Sequence, residues 1–238
     1  MTHLVSDDVL QHVAAGAERI YVGKQSRNHT LPQEGIIELM VRLAQSGRSL
    51  VRLKGGDPYI FGRGGEEAEA LAAAGIACDT VPGISAAQGA AASAGIPLTH
   101  RDHAAMLVFA TGHLQGEEGE RTVALDWAAL ARPRQTVVIY MGVGTLPTIC
   151  TQLIAHGLPA STPAAMIERA TLPGQRSIVG TLQTLPQLSV AYGVNPPALV
   201  MIGDTVALHA RIGSSAEVLT GFPAVVDAAS PQALACTA

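Results

Sequence analysis

The sequence predicts an α/β fold in which sheets are covered by helices. Short runs of β-branched and apolar residues alternate with alanine-rich helical stretches along most of the 238-residue chain. This alternation is typical of parallel or mixed sheets, because each strand buries its apolar side chains under a neighbouring helix. Hydrophobic residues make up 48% of the chain and charged residues 14%, so it has enough apolar surface to form a core.

The first half of the chain predicts a parallel sheet with helices. Residues 33–45 carry apolar side chains at helical spacing, and Gly47 after them is a suitable helix C-terminus. Ser6 is a suitable N-cap for a helix over residues 7–15. The other expected elements are strands at 19–22, 50–53 and 77–81 and helices at 66–74 and 84–94.

The second half predicts a mixed sheet with helices. A polar segment at 99–103 marks a boundary, so we expect domains over residues 1–101 and 102–212. The last stretch, 213–238, lacks sustained periodicity and is expected to be a poorly ordered tail. The elements expected in the second domain are strands at 106–111, 136–141, 164–168, 177–179 and 198–202, helices at 146–156 and 182–192, and an exposed loop at 114–123.

Composition favours a small-molecule enzyme over other classes of protein. The net charge of −4 and the lack of clustered basic and aromatic residues predict no nucleic-acid partner. No apolar stretch approaches the ~20 residues of a membrane helix, and the first residues lack a secretion signal. We therefore expect a soluble, cytoplasmic protein with no membrane partner. Cys78, Cys150 and Cys236 are far apart, which predicts neither a disulfide framework nor a metal site.

The segment VRLKGGDPYIFGRGGEE at 51–67 carries the strongest functional signal. A predicted strand runs into Gly55 and Gly56, an Asp-Pro turn begins at Asp57, and three more glycines precede a helix. Ligands of α/β proteins bind beyond the carboxyl ends of strands, and glycine lets the backbone approach a ligand closely. A tight turn would explain any two of these glycines but hardly all five. We therefore predict a site for a nucleoside-bearing cofactor here.

This segment closely resembles the signature of uroporphyrinogen-III C-methyltransferases, members of the tetrapyrrole methylase family that use S-adenosyl-L-methionine. The resemblance covers roughly residues 4–211 and continues in the strings RIYVGK at 19–24, PQE at 32–34, VPGISAA at 81–87, GIPLTHRD at 95–102, TGH at 111–113 and YMG at 140–142. It implies a two-domain tetrapyrrole methylase-like fold, with an N-terminal parallel sheet and a C-terminal mixed sheet. It also implies a homodimer that methylates uroporphyrinogen III to precorrin-2 in siroheme or cobalamin biosynthesis.

The resemblance implies a set of cofactor contacts drawn from both domains. Carried over to this chain, they are Gly55, Gly56, Asp57, Ile60, Ser85, Ala86, Met141 and Ala170. Of these, Ser85 and Ala86 should line the adenosine side, although tight helix packing would equally explain a small residue such as Ala86. Met141 and Ala170 should form the pocket wall from the second domain, and Ala170 stands where family members often have glycine.

The resemblance also implies residues for the substrate. Lys24 matches the position that the family is thought to use as proton donor. It is one of two lysines against thirteen arginines, so a compact ammonium in a predicted cleft suggests a function, and a solvated surface position is the alternative. The implied tetrapyrrole carries many carboxylates, which Arg27, Arg63 and Arg101 could bind. This methyl transfer needs no metal.

The chain departs from the family at its N-terminal end. Family members begin with a strand and a glycine-rich loop of the form GAGPGDP, which have no counterpart here, and Thr2 occupies the place of a proton-accepting aspartate. We therefore expect an incomplete parallel sheet and leave open whether the chain as written is active. Two alternatives remain: a methylase of a later precorrin, and a non-catalytic binding or dimerisation subunit.

Overall fold

The computed structural model describes residues 5–23, 31–114, 122–213 and 217–220. Contacts along the chain divide it into two compact units, Met1–Ala92 and Ser93–Ala238. The predicted domains, 1–101 and 102–212, stay a prediction. Most of the loop expected at 114–123 lies outside the described residues.

All regular secondary structure in the described part of the first unit is helical. The helices are α1 (Asp7–Leu10), α2 (Gln33–Gln45), α3 (Gly64–Ala73) and α4 (Ala86–Ala94), and the division between the units falls within α4. The bounds of α2 are as predicted, and Gly47 follows it at φ +82°. In contrast, α1 stops well before residue 15, because none of its residues is buried and Ser6 makes no side-chain capping bond.

The strands predicted at 19–22, 50–53 and 77–81 were wrong. Within the described residues, none of these segments forms a ladder with a neighbour, and all three are irregular. Val51 and Val81, which belong to two of them, are 92% and 81% exposed. A run of β-branched residues becomes a strand only when a partner supplies hydrogen bonds and a packing face, so local propensity alone did not suffice.

A buried carboxylate ties the first unit together. Glu67 on α3 is 3% exposed and accepts hydrogen bonds from Lys54 Nζ at 2.7 Å, Gln33 Nε2 at 3.1 Å and Arg52 Nε at 3.2 Å. Burial alone would raise the pKa of Glu67, but the bonds from Lys54 and Gln33 and the charge of Arg52 outweigh it and lower that pKa. Burial lowers the pKa of Lys54, and its bond to Glu67 offsets this only in part.

The second unit is built on a mixed sheet, as the sequence predicts, but the sheet has six strands rather than the five expected. Its strands are β1 (Met106–Thr111), β2 (Gln135–Tyr140), β3 (Pro163–Glu168), β4 (Arg176–Thr181), β5 (Ala198–Ile202) and β6 (Glu217–Thr220), in the order β1-β2-β5-β3-β4-β6. The pairs β1–β2 and β4–β6 are parallel and the others antiparallel. Strands β1, β2 and β3 therefore run in the same direction, and their carboxyl ends lie along one edge of the sheet.

The helices of the second unit cover the sheet and complete its core. They are α5 (Trp127–Leu130), α6 (Leu146–Ala155), α7 (Leu185–Ala191) and α8 (His209–Ile212), with a 3-10 turn at Asp204–Leu208. Every residue of β2 is buried, as expected of a central strand with packed faces. Ile149 of α6, Leu185 of α7 and Met166 of β3 belong to one fully buried cluster. No helix in the described ranges is both long and apolar enough to cross a membrane.

The prediction of a poorly ordered tail was wrong for residues 217–220. These residues form β6, which pairs in parallel with β4, with Ser177 opposite Val218 and Ile178 opposite Leu219. Leu219 packs against the core cluster, so the free edge of β4 supplies both the hydrogen bonds and the apolar contact that the isolated segment lacks. The other residues after 213 lie outside the described residues.

A buried hydroxyl pair joins the sheet to the 3-10 turn. Thr136 of β2 and Thr205 are both 0% exposed, and their Oγ1 atoms are 2.9 Å apart. A buried hydroxyl that loses its partner costs more free energy than a pair of hydroxyls replaced together by apolar groups.

We expect Thr205→Val to lower the free energy of unfolding by about 1–3 kcal/mol, because it leaves the Thr136 hydroxyl buried without this partner. The double variant Thr136→Val/Thr205→Val should recover part of that loss. Urea denaturation of the wild type, both single variants and the double variant measures the coupling between the sites. Two additive single effects would contradict this account of the pair.

Glu67 should make stability depend on pH. Its pKa is lowered by folding, so its contribution is complete above about pH 4.3, the ordinary pKa of glutamate, and is lost as the pH falls through the lower folded-state value. Glu67→Gln should therefore lower the free energy of unfolding at neutral pH, and the difference from the wild type should shrink in acid. Urea denaturation across that range tests this, with the exposed Glu69→Gln as control. A difference that does not change with pH would contradict it.

Candidate functional site

The carboxylate of Asp57 joins two loops of the first unit. Its Oδ1 accepts a hydrogen bond from the amide of Tyr59 at 2.9 Å, and its Oδ2 accepts one from the amide of Gly83 at 3.1 Å. The first bond closes a local turn after Pro58. The second spans 26 residues of sequence and holds the VPGISAA segment beside residues 55–63, which we call the glycine loop. Asp57 therefore fixes how these two loops lie against each other.

The two loops approach so closely that a side chain at position 83 does not fit between them. A Cβ built on Gly83 would lie 2.4 Å from the carbonyl oxygen of Gly56, and one built on Gly56 would lie 3.5 Å from the amide nitrogen of Ala86. Gly56 also has φ +75°, a conformation that favours glycine. The glycines at 56 and 83 therefore place the glycine loop directly against the start of α4.

The remainder of the glycine loop is a compact turn packed on Pro58. A Cβ on Gly62, or on Gly64 at the start of α3, would lie 2.7 or 2.6 Å from the carbonyl oxygen of Pro58, so both positions require glycine for the turn itself. Phe61 and Arg63 have positive φ values of 51° and 58°. The turn thus explains Gly62 and Gly64 without any ligand. The sequence alone does not distinguish these two glycines from Gly55 and Gly56.

The other predicted cofactor residues of the first unit lie on the same two loops. The half-buried Ile60 donates its amide to the carbonyl of Asp57 at 3.3 Å. Ser85 is buried and starts α4 with a reciprocal cap: its Oγ accepts from the amide of Gln88 at 3.3 Å, and its own amide donates to Gln88 Oε1 at 2.9 Å. Ala86, the first residue of α4, is exposed. The structure therefore brings Gly55, Gly56, Asp57, Ile60, Ser85 and Ala86 together in one region.

In the second unit, Met141 directly follows the carboxyl end of β2. It has φ +54° and is 53% exposed. The loop after β1 is hydrogen-bonded to the segment that contains Met141. Thr145 Oγ1 donates to the carbonyl of Gly112 at 2.8 Å, and the amide of Gly112 donates to the carbonyl of Tyr140 at 2.7 Å. The TGH and YMG strings thus meet at one edge of the sheet.

Ala170 lies at the same edge, just after β3. It stands between Arg169 at φ +51° and Thr171 at φ +66°, and Gln175 Oε1 holds the amide of Thr171 at 2.7 Å. Two positive φ values in three residues indicate a backbone held by its surroundings, as is frequent at binding loops. Met141 and Ala170 therefore share the edge formed by the carboxyl ends of β1, β2 and β3.

The structure places only some of the predicted cations. Lys24 and Arg27 lie outside the described residues. Arg63 is exposed and already pairs with Glu66, its Nη2 lying 2.6 Å from Glu66 Oε2. Arg101 is exposed in the second unit, where its carbonyl accepts a hydrogen bond from Arg134. A substrate carboxylate at Arg63 would have to compete with Glu66 for the guanidinium.

The cluster of Glu67, Lys54, Arg52 and Gln33 was not predicted from the sequence. One signal was present: the second of only two lysines, Lys54, directly precedes the first glycine of the loop. Nothing in the spacing showed that Glu67, thirteen residues further on, would be its partner.

Comparisons with known proteins agree with the resemblance in the sequence. The profile of the tetrapyrrole (corrin/porphyrin) methylases matches residues 2–186. A siroheme synthase of Nitrosospira multiformis is 53% identical over 209 residues, which are 88% of this chain and 43% of that protein. The chain therefore spans less than half the length of this curated relative.

Two solved structures from Thermus thermophilus share the fold. The native form of uroporphyrin III C-methyl transferase has a TM-score of 0.71 and 34% identity, with 87% of this chain and 80% of that chain covered. The same enzyme complexed with S-adenyl homocysteine has a TM-score of 0.70 and 36% identity, with 87% and 85% covered.

These matches confirm the predicted resemblance and the α/β fold class. At the level of the family they also confirm the methyltransferase class, and the Thermus structure complexed with S-adenyl homocysteine agrees with S-adenosyl-L-methionine as the methyl donor. The profile covers more than half of the chain, and the alignments with the two Thermus structures cover most of those chains. The chain therefore belongs to the tetrapyrrole (corrin/porphyrin) methylases.

Proposed function

We propose that this chain transfers methyl groups from S-adenosyl-L-methionine to carbon atoms of uroporphyrinogen III, giving precorrin-2 for siroheme or cobalamin. The observation that carries the proposal is the pair of loops joined by Asp57, in which the exposed glycine backbone at 55–56 lies beside the exposed Ala86. Such a surface allows close backbone contact with a nucleoside.

The relatives of this chain support both the donor and the substrate. A Thermus relative was solved with S-adenyl homocysteine, the form that the donor takes after losing its methyl group. The same relative is named for uroporphyrin III, and the longer bacterial relative for siroheme. Because this chain spans 43% of the latter, the reaction proposed here concerns the methyl-transfer step alone.

The chemistry asks mainly for alignment. When bound, S-adenosyl-L-methionine would supply a methyl group on a positively charged sulfur: the carbon–sulfur bond would break as a pyrrole carbon forms the new carbon–carbon bond, the bonding pair would stay on sulfur, and the methylated macrocycle would lose one proton for each methyl group gained. The chain's own contribution is to hold the reacting groups in line, for which rigid loops are suited. In this proposal Lys24 is the proton donor on the substrate side. Arg27, Arg63 and Arg101 bind substrate carboxylates.

A homodimer and a cytoplasmic location, without a nucleic-acid or membrane partner, complete this proposal. A second candidate is a non-catalytic binding or dimerisation subunit. One observation favours it: the strand-like segments of the first unit do not pair within the described residues, so part of a methylase sheet is not formed there.

Methylation with an excess of isotopically labelled donor over uroporphyrinogen III tests the function. The proposed activity predicts two methyl groups on uroporphyrinogen III by mass spectrometry. Binding of S-adenosylhomocysteine without transfer to uroporphyrinogen III would instead support the binding subunit, and transfer only to a later precorrin would support a methylase of that later step.

Replacing Asp57 should weaken cofactor binding. In Asp57→Ala the bonds to Tyr59 and Gly83 are lost, and with them the alignment of the two loops. A charge-assisted hydrogen bond is worth about 1.5–3 kcal/mol, so S-adenosylhomocysteine affinity by isothermal titration should fall about 10- to 100-fold. Asp8→Ala, at an exposed aspartate of α1, is the control. An Asp57→Ala variant with wild-type affinity would remove the basis of the site.

Replacing Lys24 should affect chemistry rather than cofactor binding. General acid or base catalysis contributes typically ~10²- to 10⁴-fold, so Lys24→Ala should lower the single-turnover rate by up to that factor. Its affinity for S-adenosylhomocysteine should stay close to that of the wild type, because the proposal assigns Lys24 to the substrate. Lys24→Arg keeps the charge and separates charge from proton transfer. Full activity in Lys24→Ala would show that Lys24 has no part in the chemistry and favour a solvated surface position for it.

A further inference from the structure

The ion cluster around Glu67 is linked by the chain to the glycine loop. Lys54 is the residue immediately before Gly55, and Glu67 lies on α3, the helix that follows the loop. The bond between Lys54 Nζ and Glu67 Oε2, at 2.7 Å, therefore connects the two ends of the loop to each other. Both side chains are buried, with 7% and 4% exposed.

The same carboxylate is oriented by two further groups. Its other oxygen, Oε1, accepts from Arg52 Nε and from Gln33 Nε2 of α2, while Arg52 Nη1 donates to the carbonyl of Leu53 at 3.2 Å. Glu67 thus has donors on both oxygens. One comes from α2, and the other two come from the segment just before the glycine loop. A carboxylate held in this way has one defined position, and its hydrogen bond from Lys54 therefore fixes the position of the Lys54 ammonium.

Stability is a weak explanation for such a cluster. Removing charged groups from water costs free energy that their mutual attraction repays only in part, and an apolar cluster of the same volume would often serve as well. The cluster carries two cations and one carboxylate, so its charges are not fully compensated within it. Ionic hydrogen bonds also give each side chain a fixed direction, which apolar contacts, being non-directional, do not.

The loop needs such a fixed starting point. Asp57 lies three residues after Lys54, and its carboxylate must reach the amide of Gly83 at 3.1 Å. Gly55 and Gly56 between them carry no side chain that could hold the backbone in place, and glycine has the greatest conformational freedom of all residues. A loop that is ordered before its ligand arrives binds with a smaller entropic cost.

We propose that Glu67 is a positioning residue for cofactor binding: through Lys54 it fixes the point from which Gly55, Gly56 and Asp57 reach the cofactor. Glu67 does not touch the cofactor in this proposal, which rests on the proposed function of the loop. The proposal distinguishes Glu67 from a residue that only stabilises the fold, because a stabilising residue would change the melting temperature without changing the affinity of the folded protein.

A thermodynamic cycle tests the proposal. Isothermal titration with S-adenosylhomocysteine is carried out on the wild type, Glu67→Gln, Lys54→Met and the double variant, at a temperature where circular dichroism shows each to be folded. Glu67→Gln and Lys54→Met should each weaken binding about tenfold. Because both act through one contact, the double variant should be weakened by about the same factor rather than by the product of the two. Glu69→Gln, an exposed glutamate of the same helix, should bind like the wild type.

Each outcome has one meaning. Wild-type binding together with unchanged affinity in Glu67→Gln, or with multiplying effects in the double variant, overturns the positioning role and leaves the proposed function standing. Absence of binding by the wild type overturns the proposed function and this proposal with it. If Glu67→Gln does not fold, Lys54→Met decides alone, because it leaves Glu67 with the donors from Arg52 and Gln33; unchanged affinity in Lys54→Met then overturns the proposal.

Discussion

The close approach of Gly83 to Gly56 is the constraint on which the candidate site depends. With a Cβ on Gly83 only 2.4 Å from the carbonyl oxygen of Gly56, two loops separated by more than twenty residues of sequence can meet in this way only if position 83 lacks a side chain. The bond from the Gly83 amide to Asp57 then holds the contact in register. Every predicted cofactor residue of the first unit lies on one of these two loops.

The second unit contributes a different kind of order. Its mixed sheet aligns the carboxyl ends of β1, β2 and β3 along one edge, where Met141 and Ala170 follow two of the strands. The positive φ values at Met141, Arg169 and Thr171 are maintained by a buried framework of strands and helices. Loops on such a framework keep their geometry while their outward atoms remain open to a ligand.

How much the sequence predicts depends on whether local signals agree with the surroundings. The bounds of α2, β1 and β5 are as predicted, because helical spacing with a terminal glycine and short apolar runs each have a packed partner in the fold. The strands expected at 50–53 and 77–81 have the same local signal, but neither pairs with a neighbouring strand within the described residues. Conversely, β6 has a weak local signal and forms on the free edge of β4.

The site shows the same division. The motif at 51–67 predicted the glycine loop, and the resemblance added Ser85, Ala86, Met141 and Ala170. Only the structure separates Gly62 and Gly64, which pack on Pro58, from Gly56, which lies against the start of α4. The partnership of Glu67 with Lys54 is a tertiary contact that no spacing rule predicts.

The central claim is that the two loops joined by Asp57 form the cofactor site. The most direct measurement is an amide NMR titration of the wild-type chain with S-adenosylhomocysteine. The account predicts the largest chemical-shift changes in the first unit at the amides of Gly55, Gly56, Asp57, Ile60, Ser85 and Ala86. Saturable shifts confined to other residues, with these six amides unchanged, would contradict it.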